Sequence, residues 1–426
     1  MTLGARVSRL LGVTGRASLV LMLIGSSLLF AWFSATKTPH VLYDFKGGLY
    51  DGGTAILHGH DPYAAKFLAD QAAIMHSGGT AVGENTKRPF SLPIYPAPAN
   101  LAAVPFSLLP FWLAGVAYTL LSIGAVLLAL RWLGVRDWRC SALALLSWPV
   151  LFSLWLGAMG PLLLLGAAAA WHWRNRMWRP AIALAAIIAA KLFPWPLALW
   201  LLITRRWRTF ALTVGLGIVL MLGAWAVLGF TSLAEYPKML SDATYIQQGR
   251  ASSLVAVLLA LGAGAGAAHA VAMLAGGALL LVAWRVAQRD GGERRAFGLT
   301  ILAALSASPI VWDHYMVLLF VPIALCSPRF SPIWLLPTCT PLPLVIMNGI
   351  SAPRYRGGPS DPATTRDAVL WLAIELLIGL WLWRGAREPA IGPLRPTATP
   401  QILRPGWPAS QAGWRAPARG THAERQ

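Results

Sequence analysis

The chain has 426 residues, 57% of them hydrophobic and 12% charged, with a mean hydropathy of +0.59. This composition excludes a string of soluble domains and indicates a polytopic membrane protein. A net charge of +19 would suggest nucleic acid in a soluble protein. Here the arginines stand in short clusters between apolar runs, where they orient the chain in the membrane and meet anionic lipid headgroups.

Only helices or closed barrels cross a bilayer, because unpaired backbone groups cannot be hydrated there. The apolar runs are far longer than the roughly ten-residue alternating segments of barrels, so the expected fold is all-α, a helix bundle in lipid. Cys140, Cys326 and Cys339 lie in or beside apolar segments and read as buried thiols, not as a disulfide framework.

A basic start (Arg6, Arg9, Arg16) precedes an apolar stretch at residues 17–35, either a signal peptide or a first spanning helix. Its length suits a retained anchor. With the arginines inside, residues 36–98 form a large external loop. The chain returns through residues 101–130 to the basic RWLGVRDWR (131–139), goes out through 141–155, turns at LGAMGP, and returns through 162–173 to WRNRMWR.

Next comes AIALAAIIAAKLFPWPLALWLLI, flanked on both sides by basic clusters and broken by Lys191, Pro194 and Pro196. Proline removes a helical hydrogen bond, and a single clean span would put one basic cluster outside. A broken or re-entrant hairpin with Lys191 near its apex satisfies both facts.

Residues 210–230 go out and 231–250 form a second external loop. A Gly-rich stretch (261–269) and a span return the chain to QRDGGERR. Residues 297–312 climb to the pair Asp313 and His314, and 315–326 descend. Residues 333–347 go out, 350–367 form a third external loop, and 369–383 come back. This parity gives about eleven crossings in one transmembrane domain over residues 1–384. The Pro- and Arg-rich remainder, 385–426, reads as a disordered cytoplasmic tail.

Ionisable groups in apolar surroundings are costly unless paired or hydrated. Asp313 and His314, beside Trp312 and Tyr315, form either an interfacial turn in an aromatic belt or a group that binds an anion or hydroxyl, or moves a proton. Asp44, in VLYDFKGGLYDGGTAILHGHDPYAAKF (41–67), lies close after the first span between Tyr43 and Phe45, at the mouth of any cavity in the bundle. His58-x-His60-Asp61 has no second cluster with ligand spacing to make a metal site. Lys191 snorkels or binds a phosphate within the membrane, and Arg88 and Arg250 are further phosphate candidates.

YDFKGGLYDGGTAILHGHDPY, PIYPAPANLAAVPFSLLP, LGAMGPLLLLGAAAA, AAKLFPWPLALWLLITRRWR and SASPIVWDHYMVLLFVP, in this order, resemble the glycosyltransferase C superfamily. Within it they are most similar to the bacterial polyprenyl-phosphate-mannose-dependent alpha-1,2-mannosyltransferases. The resemblance covers residues 30–330 and rests on the order and spacing of the stretches.

It implies an inverting transferase, without cofactor or metal. Such an enzyme moves a hexose, mannose by resemblance, from a polyprenyl-phosphate sugar to an acceptor hydroxyl of a glycan or glycolipid at the outer face of the cytoplasmic membrane. Asp44 matches the general base. Asp313 either orients His314 or is the base in place of Asp44. Lys191, His314, Arg250 and Arg88 would hold the donor phosphate, and Tyr43, Tyr95, Trp312 and Tyr315 would line the sugar or lipid groove.

Two stretches depart from the family pattern. KGGLYDGG stands where a more helical segment is expected, and LGAMG replaces a Gly-Gln or Gly-Asn pair, which leaves a polar side chain missing near the cavity. The alternative class is a transporter or lipid flippase, which also uses broken helices and intramembrane ions. No inverted repeat supports it, and the polar residues gather on one side.

Overall fold

A computed structural model describes residues 41–64, 95–338 and 362–385. The apolar stretch 17–35, Arg88, Cys339, most of the 350–367 loop and the tail beyond residue 385 lie outside the described residues.

The described residues are helical, with no strand among them. In chain order the helices are α1 (Tyr43–Phe45), α2 (Asp51–Leu57), α3 (Ala97–Ser107), α4 (Phe111–Trp132), α5 (Trp138–Leu145), α6 (Trp148–Leu156), α7 (Gly160–His172) and α8 (Trp178–Ala190). They continue with α9 (Pro196–Ile203), α10 (Trp207–Val227), α11 (Tyr236–Gln247), α12 (Leu254–Ala260), α13 (Ala265–Ala287), α14 (Glu293–Ala307), α15 (Phe320–Cys326) and α16 (Pro362–Gly385). A π-helical turn (Lys46–Tyr50) joins α1 to α2, and a 3₁₀ segment (Asp313–Leu319) leads into α15.

Local sequence fixes the ends of these helices. Prolines open α6, α7, α9 and α11 from the first turn, where the missing N–H costs nothing. Asp137 and Ser253 cap α5 and α12 through their side chains. Gly157, at φ +68°, closes α6 in the left-handed conformation.

Four described helices, α4, α10, α13 and the stretch Thr365–Gly385 of α16, are long and apolar enough to cross a membrane. The pair α5 and α6 makes a fifth if counted as one span; it is bent by 51° where a straight crossing was expected over residues 141–155. Large apolar side chains face outward along these helices, among them Leu120, Val219, Leu274 and Leu376. Such surfaces suit lipid and not water. Of the expected span 333–347, residues up to Thr338 form a 3₁₀ segment (Pro332–Thr338), and the rest lies outside the described residues. The expected second external loop contains α11.

One carboxylate decides how the Lys191 segment runs. Arg174, before α8, and Arg206, after α9, both reach Glu293, at 3.8 Å and 2.6 Å. The two ends of the segment therefore lie at the same end of the bundle. The chain enters through α8, breaks at residues 191–195 and returns through α9, as a re-entrant hairpin. Lys191 ends α8 with extended backbone (φ −153°, ψ 117°), about 20 Å from the basic end at 1.5 Å per helical residue.

The two ends of α16 mark opposite ends of the bundle. Gly385 lies against the Arg295 guanidinium, next to the Glu293 cluster. Asp367 lies 3.2 Å from the Ser252 hydroxyl, which also donates to Asp313 at 2.8 Å. From Asp367 to Gly385 the helix rises about 27 Å, close to the roughly 30 Å of a hydrocarbon core. The basic clusters thus stand at one end and Asp313 at the other.

Candidate active site

Asp44 is held by a short segment seated on small residues. Leu42 takes a left-handed conformation (φ 60°, ψ 26°), strained for a residue with a branched side chain. Its N–H donates to the Trp155 carbonyl at 2.7 Å. The Leu42 side chain covers Gly115, and a Cβ on Gly157 would lie 2.5 Å from the Phe45 Cβ. Phe45 is fully buried among Phe106, Phe111 and Tyr118.

Beyond Asp44, KGGLYDGG is helical, contrary to expectation. The glycines are what allow it: Gly48 faces the Tyr95 ring, and Gly52 and Gly53 let α2 approach Asn100, Ala103 and Ser107 of α3 without a Cβ between them. The π turn places Lys46 and Asp51, five residues apart, in an ion pair at 3.0 Å.

Asp313 and His314 are neighbours in sequence and part company in space. Successive residues of a 3₁₀ helix are about 120° apart. The Asp313 carboxylate turns into the protein and accepts from Trp148 Nε1 (2.8 Å), Trp371 Nε1 (3.0 Å) and Ser252 Oγ (2.8 Å). The His314 ring turns the other way, where its Nε2 lies 3.8 Å from Asp44 Oδ2. The imidazole is 3% exposed, and neither ring nitrogen has a hydrogen-bond partner among the described residues. The His314 carbonyl is fixed by Ser153 Oγ at 3.3 Å and lies 2.5 Å from where a Cβ on Gly160 would stand.

Lys191 completes the group. Its Nζ lies 3.9 Å from the centre of the Tyr315 ring and 4.9 Å from that of Tyr95. Among the described residues no carboxylate lies within ion-pair distance of it. Tyr315 is in turn stacked on Phe193 at 4.7 Å. A largely buried ammonium with no carboxylate in ion-pair contact among the described residues, held over two aromatic faces, is suited to receive an anion.

The Asp44 carboxylate is 25% exposed and α1 lies outside the spanning helices. Burial raises its pKa from the ordinary 3.8 to about 6, against the opposing pull of Lys191. The arrangement thus offers a carboxylate near the surface, an unpartnered imidazole beside it and a cation further in. A base acting on a hydroxyl, next to a site for a leaving anion, needs these parts.

Of the other residues singled out in the sequence, Tyr95 and Tyr315 are buried at this site and Trp312 packs partly buried against the main hydrophobic core. Tyr43 is half-buried in α1. Arg250 ends a 3₁₀ turn (Gln248–Arg250), and its side chain lies outside the described residues, as does all of Arg88. His58 is taken up by the Thr54 carbonyl and Asp61 by the Tyr63 N–H and Thr231.

Sequence reasoning missed Trp148, Ser252, Trp371 and Tyr118. The last carried a signal, as the one tyrosine in a 22-residue apolar helix.

Glycosyltransferase family 87 matches residues 94–311, just over half of the chain. The chain belongs to glycosyltransferase family 87. It is a membrane glycosyltransferase, as the wider resemblance in its sequence implied. No curated protein and no solved structure matches it. The matched region carries Tyr95 and Lys191, while Asp44 and His314 lie on either side of it in sequence. The folded glycosyltransferase brings these flanking residues to within 3.8 Å of one another.

Proposed function

We propose that this family 87 enzyme transfers a hexose, mannose by resemblance, from a polyprenyl-phosphate sugar to an acceptor hydroxyl, with inversion at the anomeric carbon. The observation that carries the reading is the meeting of Asp44 with His314 at 3.8 Å, at the end of the bundle away from the basic clusters. Lys191 stands over Tyr95 and Tyr315 at the same end.

Asp44, partly open to water, accepts the proton of the acceptor hydroxyl as its oxygen attacks the anomeric carbon. The bond from that carbon to the phosphate oxygen breaks, and its electron pair leaves with the polyprenyl phosphate. Lys191 and His314 bind that phosphate and stabilise the charge that develops on it. Asp313, held by three donors, fixes the turn that presents His314 and is not the base. Attack from the side opposite the leaving group inverts the centre in one displacement.

The positive-inside rule supports placing the arginine-rich end in the cytoplasm. The site then faces outward from the cytoplasmic membrane, where a polyprenyl-linked donor and a glycan or glycolipid acceptor would meet.

The test is incubation of purified protein with a panel of polyprenyl-phosphate sugars and mass spectrometry of the released polyprenyl phosphate. Release that depends on an added glycan acceptor and is abolished in Asp44→Asn supports the reading. Full release by Asp44→Asn would refute it.

A further inference from the structure

Helix α4 buries the face that carries Ala114, Gly115, Tyr118, Ser122 and Ala125. Tyr118 is 2% exposed, and packing accounts for its ring: it stacks on Phe45 at 4.5 Å and meets the edge of Phe106 at 5.8 Å. A phenylalanine would make the same contacts. The hydroxyl is what needs explaining, because it is buried and has no hydrogen-bond partner among the described residues. Burying a hydroxyl without a partner is unfavourable, and tyrosines in protein interiors nearly always find one.

One turn further along, Ser122 Oγ is also buried and without a partner among the described residues. Thr119 of the same helix instead turns its hydroxyl back to the Gly115 carbonyl at 2.8 Å, the usual solution for a hydroxyl on an apolar helix. Ser122 leaves that solution unused. Across the site, both nitrogens of His314 are in the same condition. The Tyr118 ring is stacked on Phe45, the residue that follows Asp44 in α1, and its oxygen interacts electrostatically with the Asp44 carboxylate. The unsatisfied Tyr118 hydroxyl on α4 and the unsatisfied His314 imidazole on the 3₁₀ segment therefore accompany the carboxylate, and both are able to bond a ligand rich in donors and acceptors.

We propose that the Tyr118 hydroxyl hydrogen-bonds a ring hydroxyl of the transferred sugar, which makes Tyr118 a specificity-determining residue of the transfer site. The inference rests on Asp44 being the base of that site. Three parts of the reaction must be accommodated near Asp44. The phosphate is drawn to the ammonium of Lys191. The acceptor arrives from the side on which Asp44 meets water. A buried, uncharged hydroxyl is left for the sugar ring, whose hydroxyl orientations distinguish one hexose from another. A site built to bond a hydroxyl rejects an analogue that lacks it, since its own polar atom is then left unpaired.

The experiment compares wild type, Tyr118→Phe and Asp44→Asn on the polyprenyl-phosphate sugar that supports turnover in the panel above, and on its monodeoxy analogues. Tyr118→Phe should lower kcat/KM about 10- to 100-fold, with the thermal midpoint unchanged or raised. One monodeoxy donor should show a comparable loss in wild type and no further loss in Tyr118→Phe, because the two changes remove the same bond. Tyr118→Phe at the wild-type rate, or losses that multiply for every deoxy donor, would overturn the proposal. If Asp44→Asn is inactive while the losses multiply, the Tyr118 inference alone falls. If Asp44→Asn keeps full turnover, the base assignment falls and the Tyr118 inference, which rests on it, falls with it. Absence of turnover with every polyprenyl-phosphate sugar overturns both.

Discussion

Asp44→Asn removes a proton acceptor while keeping the shape of the side chain. The expected loss in kcat/KM is the whole of the general-base contribution, about 10²- to 10⁴-fold. Little of it should come through unfolding. The 3.8 Å between Asp44 and His314 is longer than a hydrogen bond, so the amide breaks no bond to the ring. Burial also favours the uncharged form of this group. The sign follows from linkage: with the folded pKa raised to about 6, the contribution of Asp44 to stability is fully present below the ordinary 3.8. It is lost as pH rises through about 6.

At pH 7 Asp44→Asn should therefore melt at or above wild type. The assay is kcat/KM from pH 5 to 8 in detergent, with donor binding measured alongside. Wild-type kcat/KM should fall about tenfold per pH unit below an inflection near about 6. The variant should lack that acidic limb and keep donor affinity. Retention of more than about a tenth of wild-type kcat/KM, a rate loss below the range set for a general base, would refute the assignment.

Lys191→Met should lower kcat/KM by about 10²- to 10³-fold through the leaving phosphate and weaken binding of free polyprenyl phosphate. Unchanged affinity for that product would remove Lys191 from the phosphate site. Asp313→Ala takes away the carboxylate that accepts from the Trp148 and Trp371 ring N–H groups, while Ser252 keeps Asp367 as an acceptor, and should cost about 3–5 kcal/mol by thermal or denaturant unfolding. The pH profile of its folded fraction should keep the wild-type shape; full stability with lost activity would make Asp313 a chemical participant. Gly160→Ala places a Cβ 2.5 Å from the His314 carbonyl and should destabilise by about 1–3 kcal/mol. Its kcat should fall more than its KM rises, and wild-type melting with wild-type kcat would show that the turn has room to move.

The all-helical bundle was legible because composition and run length leave a membrane chain few alternatives. The re-entrant hairpin was legible from charge parity and proline, and the Glu293 contacts agree with it. Asp44 and His314 announced themselves as charges at apolar margins, but nothing in the sequence measures the 3.8 Å between them. Asp313 was harder to read. Its sequence neighbour suggested a shared role, whereas a 3₁₀ turn separates adjacent side chains and its partners lie 58 to 165 residues away. KGGLYDGG misled for a related reason: glycine lowers intrinsic helicity, but close packing on α3 rewards the absence of a side chain. The 51° bend between α5 and α6 was hidden inside a run whose hydropathy suited a straight crossing.

The fastening of Arg174 and Arg206 to one glutamate bears on how the chain is built into a bilayer. A segment whose two feet stay on one side moves neither flank across, so its arginines need never leave the aqueous phase. Its apex, however, carries an ammonium to a depth where lipid alone would not tolerate it. Lys191 can settle there only once the rings of Tyr95 and Tyr315, drawn from distant parts of the chain, have come together beneath it. The buried ammonium is therefore installed by assembly of the finished bundle and not by insertion of its own segment.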